Sequence, residues 1–204
     1  MKKLIIAVLA IMLVVCISIG ATLAYLFVKT DPVVNTFAYG DINIELKEHK
    51  YEDGDLTSEE VTANKTYKII PGVTEEKDPF VRVKSGSEKC YVYVTVENSV
   101  KLDDGTVVAS VNINNNNDDW ESVDTNGDTT LYRYKEIVDA SSEAKTLPVF
   151  TEVSYDAVKI RKDNIAQVKD DTITVIAYAY QATNVEQTVA DAAVKEMAFP
   201  TATN

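Results

Sequence analysis

Among the side chains able to do chemistry, this chain of 204 residues carries one histidine, His49, and two cysteines, Cys16 and Cys90. A Ser-His-Asp triad needs a histidine oriented by a carboxylate, and zinc sites draw on several His or Cys ligands. His49 stands in Lys47-Glu48-His49-Lys50 with no HExxH pattern, and reads as a solvated strand end. GxSxG, GxGxxG and P-loop patterns are absent. Asp and Glu number 32, so some pair falls at glycosidase spacing by chance and paired carboxylates carry no information. The inventory assigns no catalytic residue, no cofactor and no metal ligand.

Two features come nearer to a binding site. Asp124-Thr125-Asn126-Gly127-Asp128 sets oxygen atoms at alternating positions, as calcium loops do. Thr129 stands where an EF-hand loop has Gly, however, and Lys135 where it has its bidentate Glu, so a hairpin turn is the plainer reading. Asp53 and Asp55 make a weaker case. Tyr91 with Tyr93, Tyr132 with Tyr134, and Tyr178 with Tyr180 are i, i+2 pairs, each projecting from one face of a strand. Such a stripe either packs across strands or offers a surface to a glycan or a partner. The sequon Asn64-Lys65-Thr66 matters only where glycosylation machinery exists.

The elements that would position these residues are strands. Residues 41–47 alternate cleanly, with Ile42, Ile44 and Leu46 on one face. Further strands are expected at 66–70, 80–84, 90–97, 107–113, 131–137, 149–155 and 172–181. Eight short strands fit a sandwich better than an open sheet. Cys90 shares a face with Val92, Val94 and Val96 and reads as a small buried hydrophobe, with an intermolecular disulfide or reactive thiol as its functional alternative. Both faces of 173–180 are largely apolar, which predicts a central strand covered on both sides. Pro71-Gly72, Ser85-Gly86-Ser87, Asp103-Asp104-Gly105 and Asn126-Gly127 supply turns. The polar tracts 48–64 and 114–128 are expected to be long surface loops, the second anchored by Trp120. A single helix is expected at 188–198, with Val189, Ala192, Ala193 and Met197 near one face and Pro200 closing it.

The formal charge of −12 disfavours binding to nucleic acid, since little here could displace counterions from phosphate. After Lys2 and Lys3, an uncharged apolar run spans 4–28, which is an export signal or a membrane anchor. Small residues around Thr22 and Ala24 favour cleavage between Ala24 and Tyr25. Leu13-Val14-Val15-Cys16 looks a little like a lipobox, although Val15 is larger than that motif prefers. Cleavage would leave a more acidic chain with one cysteine, unable to form a disulfide within itself. The expected organisation is a signal peptide at 1–24, an exposed segment at 25–37 and one domain at 38–204.

Gly20-Ala21-Thr22-Leu23-Ala24-Tyr25-Leu26-Phe27, then Asn35-Thr36-Phe37 and Gly40-Asp41-Ile42-Asn43-Ile44-Glu45-Leu46, resemble the start of the TasA and camelysin family. The resemblance continues in Lys68-Ile69-Ile70-Pro71-Gly72, Lys77-Asp78-Pro79 and 83–92, and returns in Leu147-Pro148-Val149-Phe150 and 177–182. Leu26-Phe27-Val28 departs from the family's aromatic-plus-polar pattern. The resemblance implies an all-β fold: a jelly-roll-like antiparallel β-sandwich with one short C-terminal helix, preceded by a signal peptide that a SipW-type signal peptidase removes. It implies a secreted subunit of biofilm matrix fibres, a homo-oligomer growing head to tail in company with other matrix components. In such fibres the mature N-terminal segment completes the sheet of the next subunit. Here that donor would carry Val28, Val33, Val34 and Phe37 as its apolar contacts; the alternative is that the segment folds back as the first strand of its own domain or is a linker. Strand addition of this kind joins ladder hydrogen bonds to side chains in alternate pockets. The alternatives are a surface adhesion or binding domain held by an uncleaved anchor, and a camelysin-like peptidase, for which the residues show no zinc-binding cluster.

Overall fold

The structure is a computed structural model, and the residues it describes are 41–52, 54–63, 69–113, 118–168 and 172–200, together with the backbone of 36–38. The expected signal and anchor, Cys16, Ala24, Tyr25, Val28, Val33 and Val34 lie outside them, as do Asp53, Asn64 and most of the expected strand 66–70. In chain order the described strands are β1 (Thr36–Ala38), β2 (Ile42–Glu52), β3 (Asp55–Val61), β4 (Thr74–Glu76), β5 (Phe80–Val83) and β6 (Cys90–Asn98). There follow β7 (Ala109–Val111), β8 (Trp120–Asn126), β9 (Thr129–Tyr134), β10 (Lys145–Pro148), β11 (Glu152–Tyr155), β12 (Ile173–Gln181) and the helix α1 (Gln187–Ala198).

Every strand pairing is antiparallel. One sheet runs β1-β2-β5-β10 with β3 also on β2, a second runs β12-β6-β9-β8, and a short third runs β4-β11-β7. The fold is an all-β sandwich with one short C-terminal helix, as the alternating patterns implied. Ile42, Ile44, Val81, Val83 and Leu147 from the first sheet meet Cys90, Val92, Val94, Val96, Val175, Ala177 and Ala179 from the second in one apolar core. Ala109, Val153 and Tyr155 of the third sheet pack against the same core.

The opposite face of the second sheet is covered by α1. Tyr91, Tyr93, Leu131 and Tyr178 lie under Ala190 and Val194. β6 is therefore apolar on both faces and occupies the interior of its sheet. β12 is also covered on both faces but stands at the sheet's edge, which corrects its expected central position: burial by a helix and by a sheet gives the same apolar pattern as interior pairing.

The two expected long loops are largely structured. β2 runs on to Glu52 and turns into β3, with Glu52 opposite Asp55. Gly54, which precedes β3, takes φ +102°, and the sequence Asp53-Gly54 is an Asp-Gly hairpin signal that the polar composition obscured. Charge takes the place of apolar alternation here, since Glu60 of β3 receives both guanidinium nitrogens of Arg82 on β5. The second tract contains β8, where Trp120 is a buried strand residue that donates its indole N–H to the Pro148 carbonyl at 2.8 Å. The expected strand 149–155 shortens to β11, and β10 precedes it as a strand that was not expected, with Val149 and Phe150 fully buried between the two. The stretch 107–113 shortens to β7, and 131–137 moves to β9.

Candidate functional site

β2 has two edges with different occupants. The Asn43 backbone N–H donates to Ser87 Oγ and that of His49 to Asp78 Oδ1, while Lys84 N–H donates to the Asn43 carbonyl. The amides of odd-numbered residues thus face β5, and alternation turns those of Ile44, Leu46 and Glu48 to the other edge. On that edge β1 pairs with 42–44, and β3 pairs from Glu48 onward. Between them, at Leu46, no strand among the described residues pairs with this edge of β2, while Val81 of β5 pairs with Leu46 on the other.

This gap opens on a cleft of about 250 Å³ between the first and second sheets. Leu46, Lys47 and Glu48 of β2, Ile173 to Val175 of β12 with Thr172 before it, and Thr62, Lys77 and Pro79 line it. Ile173 and Val175 give it apolar surface. At its floor Lys77 Nζ donates to Glu48 Oε2, and both side chains are largely buried. A buried pair of this kind fixes register more than it adds stability, because desolvation of both charges offsets their attraction. The signal for Glu48 was present in the sequence: the series 42, 44, 46 that points inward reaches 48 next.

His49 is not a solvated strand end. Its Nδ1 lies 2.6 Å from Asp78 Oδ2, and its ring sits 5.4 Å from that of Phe80. The outer face of the same sheet is laced with ion pairs, Glu45 to Lys84 and Lys47 to Glu60 among them. That face has the character of a solvated surface.

The other candidate residues separate by position. Phe37 is opposite Asn43 in the β1–β2 ladder, and it is the one named donor residue whose backbone is described. Asp124 and Asp128 end up at a hairpin: Asn126 faces Thr129 across a loop of Gly127 and Asp128, with Gly127 at φ +59°. Lys195 holds Asp124 at 2.9 Å and lowers its pKa, and Lys101 pairs with Asp128. Among the described residues no group of three or more His, Cys, Asp or Glu is placed to hold a metal ion. Tyr91, Tyr93 and Tyr178 form the cross-strand aromatic layer under α1, whereas Tyr132 and Tyr134 face the sandwich core, Tyr134 edge-on to Trp120 at 5.3 Å. Cys90 is fully buried, and desolvation pushes its thiol up to about 12, so it is the packed hydrophobe that its strand face implied.

No protein-family model, no curated protein and no solved structure matches the chain. No helix among the described residues is long and apolar enough to cross a membrane, and the apolar run at 4–28 lies outside them.

Proposed function

We propose that the protein is an exported, non-enzymatic subunit of extracellular matrix fibres, resembling TasA, and that the segment 25–37 released by signal cleavage is the strand one copy adds to the next. The observation that carries this reading is β1: the residues at the end of that segment already form an antiparallel ladder on the edge of β2. Backbone that pairs there can pair with an equivalent edge, and the gap at Leu46 beside a cleft lined in part by Ile173 and Val175 is the kind of edge that strand addition uses. Val28, Val33, Val34 and Phe37 supply side chains for alternate pockets, and Pro32 suits an edge position because it donates no ladder hydrogen bond. A head-to-tail contact that does not close produces a filament rather than a ring.

The test compares chains beginning at Tyr25 and at residue 38, produced without the signal. The longer chain forms filaments in negative-stain electron microscopy, and the shorter one keeps a cooperative melt and β-type circular dichroism but stays dispersed. Filaments from the shorter chain would overturn the reading. Mass spectrometry of protein recovered from medium and from membranes decides the anchored alternative, in which Met1 is intact.

A further inference from the structure

On the inner face of the third sheet, one position breaks the chemistry of its row. Glu75 of β4 stands opposite Val153 of β11, which in turn stands opposite Val111 of β7. In an antiparallel sheet such opposed residues share a face, so a carboxylate occupies the end of a row of valines that looks into the sandwich. Glu75 is 9% exposed, and its Oε2 has no hydrogen-bond partner. Its neighbours Thr74 and Glu76 are exposed, as alternation requires.

Among the described residues, the titratable group that interacts with this carboxyl is the Tyr155 phenol. Tyr155 of β11 feels the charge of Glu75 and that of Tyr51 at the end of β2, and its own hydroxyl is pushed up to about 12, mainly by burial. Desolvation raises the pKa of Glu75. β4 itself is slight. Three residues pair with β11, helped by the Thr74–Ser154 hydroxyl contact at 2.9 Å and by hydrogen bonds from Gly72 N–H to the Tyr155 carbonyl and from Tyr155 N–H to the Val73 carbonyl. It is an edge strand, so removing it uncovers the β11 ladder edge.

We propose that Glu75 is a proton-operated latch: with its carboxyl protonated β4 stays seated on β11, and ionisation drives the strand out and opens a second pairing edge on the sandwich. An ionised carboxylate with a buried, unpartnered Oε2 beside Val153 and Tyr155 gains more from water than the three-residue ladder can hold back. The direction follows from linkage. The folded state keeps the Glu75 proton to higher pH than the unfolded chain, so this group's contribution to stability is complete below about pH 4.5 and declines as pH rises through the folded-state value. This device is independent of the donor-strand reading, because it operates within a single copy.

The experiment is amide hydrogen exchange, corrected for intrinsic rates, on the full-length chain at pH 4, 5.5 and 7. The amides read are those of residues 72–76 and Tyr155, in wild type, Glu75→Gln and the exposed control Glu76→Gln. Protection in wild type and in Glu76→Gln falls about threefold or more from pH 4 to pH 7, while in Glu75→Gln it stays level. Equal pH dependence in all three proteins would overturn the latch. If the glutamine variant does not fold, Glu75→Val completes the valine row and carries the same expectation, and a pH-dependent loss of protection in it would overturn the latch as well.

Discussion

Arg133 is a full positive charge in a place that water barely reaches, 5% exposed on the sheet face beneath α1. Its Nη1 donates to Asp191 Oδ2 at 2.6 Å and its Nη2 to Glu121 Oε2 at 2.6 Å, while Tyr93 Oη donates to Asp191 Oδ1 at 2.8 Å. Burial, followed by the hydrogen bond to Asp191, pushes the Tyr93 phenol well up, so it serves as a donor throughout the ordinary pH range. The two carboxylates do unequal work. The Asp191 side chain is 22% exposed and serves two buried partners, whereas that of Glu121 is 55% exposed and serves one. Removing a partner from a buried ion pair costs about 3–5 kcal/mol, and removing one from an exposed pair costs about 0–1 kcal/mol. Asp191→Ala is therefore expected to lose about 3 kcal/mol in urea unfolding, and Glu121→Ala less than about 1 kcal/mol. Equal losses would mean that Arg133 is solvated through the helix edge and that α1 is held by packing alone. Nothing in the sequence marked this cluster, because a charged residue on a helix reads as solvent-facing until its neighbours across the sheet are known.

At the scale of elements, local alternation carried much of the fold. Ile42, Ile44 and Leu46 set β2, and Cys90, Val92, Val94 and Val96 set β6, with the expected faces. What failed was phase and pairing. Helix α1 begins and ends within a residue of expectation, yet its buried positions are Ala190 and Val194, not Val189, Ala192, Ala193 and Met197, of which Met197 packs only partly buried against the layer. Two apolar stripes compete on this helix, and the choice between them is made by Tyr93 and Arg133 drawing Asp191 inward, a tertiary cause. Val194→Ala is expected to cost about 2 kcal/mol in chemical denaturation, since it empties a fully buried site. Val189→Ala changes stability by less than about 0.5 kcal/mol, because Val189 is 54% exposed. A larger cost at Val189 would restore the stripe read from the sequence. The cleft beside Leu46 was legible on one side only: β2 announced its inner face, but that β12 also lines it depends on how the sheets pack. The β2–β3 hairpin was legible in Asp53-Gly54 and was lost because β3, Asp-Leu-Thr-Ser-Glu-Glu-Val, is mostly polar and lacks apolar alternation.

For the molecule as a whole, a net charge of −12 combines with two opposed kinds of carboxyl group. Glu60, Asp104, Asp124, Glu143 and Asp156 are held below their ordinary values, Glu60 chiefly by Arg82 and Asp156 by the backbone N–H groups of Lys159 and Val158. Asp139 is lowered to about 2, first by the Ser141 hydroxyl and N–H and then by Lys89. Groups with lowered values contribute stability above their unfolded-state pKa and lose it as pH falls through the folded-state value, which places the loss below about pH 4. Glu75 acts in reverse, and protonation also relieves the repulsion among excess carboxylates, so acidification from neutrality first stabilises the fold. The melting temperature followed by circular dichroism is therefore expected to rise from pH 7 to a maximum at about pH 4–5 and to fall steeply toward pH 2. Screening weakens exposed pairs and overall repulsion alike, so about 0.5 M sodium chloride flattens both limbs. A melting temperature that declines continuously from pH 7 downward would show that the native ion pairs outweigh the repulsion even at neutrality, and that the charge excess of this chain is neutralised locally, pair by pair, across its sheets.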